Sequence, residues 1–192
     1  LPKVGGRISS LTLDGHNMLA PIKDINKITD WGTVLWSSPQ EEWMWPPVDV
    51  LDSKAYNVSV KGERLVLTSS IDPKTGYQFS KIFMLAGENR IAITYRIFNH
   101  SAREKNVAAL EVTRLPPSGS IFYPVGDLKA ESGIFYPLNV TYLNELVWFD
   151  YDAKKIRTDH HKHMNDGKEG WVAYVDKGHL LVKEFVDNPP SA

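Results

Sequence analysis

A chain of 192 residues, 42% hydrophobic and 23% charged, can bury about 70% of the surface its unfolded form exposes, enough for one sizeable core. Its net charge is −1 and its lysines and arginines are scattered, which removes nucleic acid and anionic membrane surfaces as partners. The absence of cysteine excludes disulfides, thiolate-held zinc and thiol nucleophiles, and no apolar run approaches the roughly 20 residues of a membrane helix.

The first residues, "LPKVGGRI" from Leu1 to Ile8, read as a strand entering a Gly5-Gly6 turn, and "DGHN", Asp14 to Asn17, is a hairpin signal. The chain starts without methionine and in the middle of a pattern, so it is expected to be trimmed at one or both ends. No basic stretch followed by an apolar one marks a signal peptide.

The segment "VLWSSPQEEWMWPPVDVLD", Val34 to Asp52, holds three of the six tryptophans together with three prolines. Pro39, Pro46 and Pro47 oppose a regular strand, so an ordered loop is expected, kept stiff and extended at Pro46-Pro47. Indole faces carry negative quadrupole density that attracts the C–H faces of sugars, and Gln and Glu bond hydroxyls. Trp36, Gln40, Glu42, Trp43 and Trp45 are therefore candidate substrate-binding residues. The competing reading makes Trp31, Trp36, Trp43 and Trp45 core or loop-anchoring residues, since buried indoles need only one partner for N–H.

Ser59 to Ser69, "SVKGERLVLTS", and Phe79 to Phe98, "FSKIFMLAGENRIAITYRIF", alternate with period two, the second broken by the turn "AGEN". They predict a meander of antiparallel hairpins. Asp-Pro and Thr-Gly place a turn in "IDPKTGY", and the polar loop "NHSAREKN" leads into another strand, "VAALEVTRL". In that strand Ala109, Glu111 and Thr113 share one face, and Leu110, Val112 and Arg114 the other. Glu111 faces either solvent or a cleft, where a shifted pKa would suit acid/base work.

"DHHKHMNDGKEG", Asp159 to Gly170, supplies His160, His161 and His163. A metal site is set aside because the segment is polar, Gly-containing and loop-like. His161 or His163 is better suited as a general acid near neutral pH. Gly170 to Phe185, "GWVAYVDKGHLLVKEF", is the clearest hairpin, turning at Asp176-Lys177-Gly178.

No window of eleven residues keeps a helical apolar period free of Pro and Gly, so helix should be scarce. About ten short strands without repeat or linker predict one all-β antiparallel domain over residues 1–192, a sandwich or barrel. No G-x-G-x-x-G, P-loop, G-x-S-x-G or H-E-x-x-H motif is present, so no cofactor or metal is expected. N-x-[S/T] sequons at Asn57, Asn99 and Asn139 would matter only in a glycosylating host.

The order of segments resembles a known superfamily. "LPKVGGRISSLTLDGHNML" resembles the opening hairpin of galactose-mutarotase-like proteins. "VLWSSPQEEWMWPP", "LTSSIDPKTGYQFSKIFML", "IAITYRIFNHSAREKNVAALEVTRL" and "GWVAYVDKGHLLVKEF" then follow as in an uncharacterised bacterial branch of it, over nearly the whole chain. The resemblance implies a β-supersandwich with a concave face for a mono- or oligosaccharide, and a periplasmic or extracellular location. In the enzymatic branch a Glu takes the anomeric hydroxyl proton and a His protonates the ring oxygen, opening and reclosing an aldose. The Trp36 to Trp45 segment falls where that branch contacts the sugar through an Arg. Where the enzymes have Thr-Asn-His, however, this chain reads Glu111-Val112-Thr113. It also stops at "VDNPPSA", before the strands that carry the family's catalytic Glu, so no catalytic residue is carried over.

The resulting expectation is a carbohydrate-binding or carbohydrate-processing accessory protein. One alternative is an aldose-epimerase or mutarotase-type enzyme with Glu111 as base and His161 or His163 as acid. Another is a non-enzymatic interaction module whose exposed tryptophans meet a protein.

Overall fold

Side chains that alternate in polarity demand a pleated surface with one buried face, and antiparallel ladders supply it. The computed structural model describes residues 1–126, 140–151, 154, 163 and 166–187. Among the described residues strand accounts for 47% and helix for 4%, and all their strand pairs are antiparallel. The fold is all-β with little helix, as the alternation predicted. The chain divides into two compact units, Leu1–Leu115 and Pro116–Ala192.

In the first unit a small hairpin, β1 (Thr12–Leu13) and β2 (His16–Asn17), precedes β3 (Thr33–Ser38). A 3-10 turn (Gln40–Glu42) and a one-turn helix α1 (Asp49–Asp52) follow. Then β4 (Asn57–Lys61), β5 (Arg64–Thr68), β6 (Tyr77–Gly87) and β7 (Arg90–Asn99) form a four-stranded meander, and β8 (Ala108–Thr113) returns to pair with β3. Two sequence-level boundaries move. The stretch Ser59 to Ser69 is a hairpin that turns at Gly62, where φ is +61°. The Trp-rich segment is not loop throughout, because Thr33 to Ser38 lies on a strand before Pro39 ends it.

Residue alternation decides the packing. On β6, Tyr77, Phe79 and Lys81 share the inner face, and Leu35 of β3 joins Leu67, Tyr77, Phe79, Leu51 and Tyr56 in one core. The β3–β8 pair therefore packs on the four-stranded sheet, with α1 closing the cluster. Gly5 and Gly6 make the same cluster accessible to the first residues. Both have positive φ, and a Cβ on Gly5 would lie 1.8 Å from the Asp52 carbonyl oxygen. Only glycine allows the chain so close to the end of α1.

The second unit holds a five-stranded sheet in the order β10 (Val140–Leu143), β11 (Leu146–Asp150), β9 (Ser120–Pro124), β12 (Trp171–Asp176), β13 (His179–Glu184). Its β12–β13 hairpin turns at Lys177 and Gly178, with φ of +49° and +80°, the two positive values a type I′ turn requires. Phe122 and Trp148 are cross-strand partners stacked at 4.4 Å, with Trp171 edge-on to Phe122 at 6.0 Å.

Leu35 is completely buried among five other core side chains, whereas Leu85 at the end of β6 is 78% exposed. Leu35→Ala should therefore cost about 2–5 kcal/mol, and Leu85→Ala within about 0.5 kcal/mol, read as shifts in urea midpoint at unchanged slope.

Candidate functional site

The site is organised around one buried carboxylate. Asp52 closes α1 with its side chain 3% exposed, and Arg7, at 0%, places Nη2 2.8 Å and 2.9 Å from its two oxygens. Trp36 on β3 donates its indole N–H to Asp52 Oδ1 at 2.7 Å. Arg7 also donates from Nη1 to the Ile28 carbonyl and lies over the Trp31 ring at 5.3 Å. Burial lowers the Arg7 pKa, and the Asp52 charge acts in the opposite direction.

Anchored in this way, Trp36 serves as the support for the rest of the segment. Trp43 meets it at 5.7 Å, tilted by 57°, and Trp45 stands edge-on at 6.0 Å. The turn between them is closed by the N–H groups of Trp43 and Met44, both donating to the Gln40 carbonyl. Met44 has φ of +60°, a left-handed conformation that costs a side-chain-bearing residue about 1–2 kcal/mol. It separates two adjacent fates. Trp43, 5% exposed, points inward and donates its N–H to the Ser37 carbonyl, while Trp45 is 58% exposed.

The five candidate contacts therefore divide. Trp36 is half-buried, Gln40 is exposed and Trp45 is exposed, so a surface ligand can reach them. Trp43 is corrected to a packing residue. Glu42 is held within the fold, accepting from the Tyr77 hydroxyl at 2.6 Å and from Lys105 Nζ at 3.3 Å. The Tyr77 hydrogen bond and Lys105 lower its pKa against a smaller opposing effect of burial. The niche among Trp36, Trp43, Pro47, Leu51 and Asp52 encloses about 10 Å³, the order of one water. A sugar cannot be enclosed there.

Glu111 lies opposite Leu35 in the β3–β8 ladder, on the face shared with Ala109 and Thr113. It is half-buried and accepts from the Tyr95 hydroxyl at 2.8 Å; burial first, then the Glu111 charge, raises the Tyr95 pKa. Glu111 belongs to the first unit and His163, half-buried, to the second. His160, His161 and the Asn139 sequon lie outside the described residues. Among the described residues no three His, Asp or Glu form a cluster able to hold a metal.

Three cations escaped the sequence reading. Arg7 follows the Gly5-Gly6 turn directly, and Arg114 shares its strand face with Leu110, the partner of Trp36, which was a usable signal. Lys81 was not legible, because it occupies a core position of β6. It is buried, donates to the Gly5 and Gly6 carbonyls at 2.6 Å and 3.3 Å, and lies 5.0 Å from the Tyr56 ring centre. Burial, then the Arg7 charge, lowers its pKa from 10.5 to about 7, with Asp52 and Glu111 acting the other way.

In comparisons with family models, with curated proteins and with solved structures, nothing matches this chain.

Asp52→Asn leaves Arg7 buried without its counter-charge, and should cost about 3–5 kcal/mol in urea unfolding while changing Trp36 emission. A second outcome concerns pH. Between pH 8 and 10 the α-amino group of the unfolded chain, with its ordinary value of 8.0, has largely lost its proton. Unfolded Lys81 still holds its proton there and folded Lys81 does not, so stability should rise through this window. Below about 7 Lys81 is protonated in both states and its contribution is flat. The raised Tyr77 and Tyr95 act in the opposite sense only above their ordinary value of 10. Denaturation midpoints measured at several pH values should show the rise in the parent chain and a flatter profile in Lys81→Met.

Proposed function

We propose that the 1–115 unit binds a mono- or oligosaccharide on the open rim formed by Trp45, Trp36 and Gln40. The observation that carries this reading is the exposure of Trp45 on a support that cannot yield. Its indole stands against Trp36, Trp36 is bonded to a buried ion pair, and the backbone before it holds a left-handed Met44. Strain and exposed aromatic surface are both unfavourable for the free protein, and such features collect at binding sites. A flat apolar face with a carboxamide beside it fits a pyranose, whose ring offers C–H groups on one side and hydroxyls at its edge.

The open geometry sets the affinity range. One exposed indole and a few polar contacts fit a dissociation constant near the millimolar level for a monosaccharide, about −4 kcal/mol, with further contacts adding affinity for longer chains. Glu111, engaged by Tyr95, is not among the proposed contacts. The galactose-mutarotase-like resemblance, which implies a sugar-binding β-sandwich, supports the same ligand class.

Titration of the purified chain with neutral and acidic mono- and oligosaccharides, followed by tryptophan fluorescence, should give saturable quenching. Trp45→Ala should weaken it at least about tenfold, near 1.4 kcal/mol, without loss of folded structure. Trp43→Ala should instead lower stability by about 3–5 kcal/mol, as expected for a buried indole. Flat titrations across the panel would overturn the proposal.

A further inference from the structure

The four-stranded sheet of the first unit ends on β4, and all five residues of that strand are exposed. Its register with β5 runs without a bulge from Asn57–Thr68 to Lys61–Arg64. The hairpin closes through Gly62 and Glu63, so Lys61 and Arg64 exchange backbone hydrogen bonds, and alternate pairs back along the ladder do the same. Asn57, Ser59 and Lys61 therefore turn their N–H and C=O groups toward β5, whereas Val58 and Val60 turn theirs outward. Two bonds just beyond the strands agree with this phase. Tyr56 sends its N–H to the Pro2 carbonyl, and Ser69, which follows β5, donates to Phe79 of β6.

Val58 and Val60 thus present backbone donors and acceptors along an open edge, and among the described residues no backbone group takes them. Their side chains are exposed as well, at 52% and 73%. They lie opposite Leu67 and Leu65, on the sheet face that carries the core, and beyond the core that face continues bare over Leu65, Leu85 and Ile91. An unpaired edge beside exposed apolar side chains is a template for another strand.

The residue order selects the strand that fits. Asn57-Val58-Ser59-Val60-Lys61 is nearly symmetric about Ser59. A second copy laid antiparallel across Ser59 sets Val58 of each chain opposite Val60 of the other, and every outward group of the four valines is then hydrogen-bonded. A shift of one residue would set outward groups against inward ones. A shift of two would set a valine against Tyr56, whose N–H is already given to Pro2, or against Gly62 in the turn. In the centred register Lys61 faces the neutral Asn57, so no like charges meet, and the apolar faces of the two copies become continuous. We infer that β4 is the interface of a homodimer, in which two four-stranded sheets join edge to edge about a twofold axis at Ser59. This inference does not depend on the sugar reading.

An edge contact of this kind is at the small end of protein interfaces, so sedimentation of the full chain over a wide range of concentration should show a dimer that dissociates on dilution. Val60→Pro removes an outward N–H and leaves the ladder with β5 intact; it should weaken the dimer at least about tenfold. The chain has no cysteine, so a single introduced thiol reports the register. Ser59 meets its own counterpart at a non-hydrogen-bonded site, where Cα atoms lie about 4.5 Å apart, within the reach of a disulfide. Ser59→Cys should therefore crosslink on mild oxidation, whereas Lys61→Cys, about 13 Å from its counterpart, should not. Circular dichroism establishes that Val60→Pro is folded, and the comparison of the two cysteine variants stands even where it is not. A chain that stays monomeric up to about 1 mM would overturn the inference. So would a dimer that persists undiminished in folded Val60→Pro, or equal crosslinking through both cysteines.

Discussion

The Arg7–Asp52 pair is the constraint on which the first unit depends. Two opposite charges are withdrawn from water, and each is tolerable only while the other stays within hydrogen-bond distance. Their positions are 45 residues apart in sequence, so the pair fixes the first turn of the chain against the end of α1. Gly5 permits the approach, since any side chain there would strike the Asp52 carbonyl. Asp52 then holds Trp36 through the indole N–H, and β3 is thereby tied to the same point. A buried ion pair adds little stability over a well-packed apolar pair of similar shape. Its contribution here is directional: it sets the angle of an indole that other groups lean on.

Electrostatics around the pair are tightly shared. Lys81, Arg7 and Arg114 are cations facing the interior of one unit, with Asp52 buried and Glu111 half-buried as nearby anions. Lys81 meets the imbalance by holding its proton less firmly and by donating to two backbone carbonyls. Arg114 has less freedom to do so, because a guanidinium keeps its proton at any ordinary pH. Arg114 is half-buried, whereas Arg7 is buried. Arg114 follows β8 directly and lies over the Trp36 ring, and Leu110 of β8 is the ladder partner of Trp36.

Much of the architecture was legible because its determinants are local. In "GWVAYVDKGHLLVKEF" the alternation and the turn residues lie within one short window, and the β12–β13 hairpin forms where they indicate. The face shared by Ala109, Glu111 and Thr113 could be read for the same reason. The start of the Trp-rich segment was obscured by its neighbours: the prolines that forbid a strand begin at Pro39, and Thr33 to Ser38 is free of them. Within that segment composition could not separate Trp43 from Trp45. The same residue type two positions apart becomes core in one case and surface in the other, and the left-handed backbone at Met44 makes the difference. The partners that hold Glu42, Tyr77 and Lys105, are 35 and 63 residues away. Pairings of that range have no local signature.

The exposed indole carries its meaning from what lies beneath it. A single exposed tryptophan on a mobile loop would need no explanation, because isolated apolar groups are common on protein surfaces. Trp45 differs in that the turn leading to it is closed on the Gln40 carbonyl, its neighbour Met44 accepts a strained conformation, and its ring rests on one that is itself hydrogen-bonded to a buried carboxylate. Each of these restrictions removes freedom that a ligand would otherwise have to remove on binding, and the ordering cost of a side chain is about 0.5–1.5 kcal/mol. For a ligand held weakly on an open surface, that saving is a sizeable share of the whole binding free energy. On the proposed sugar-binding reading, the conformational cost lies in the fold before a ligand arrives, and the buried ion pair sustains it there.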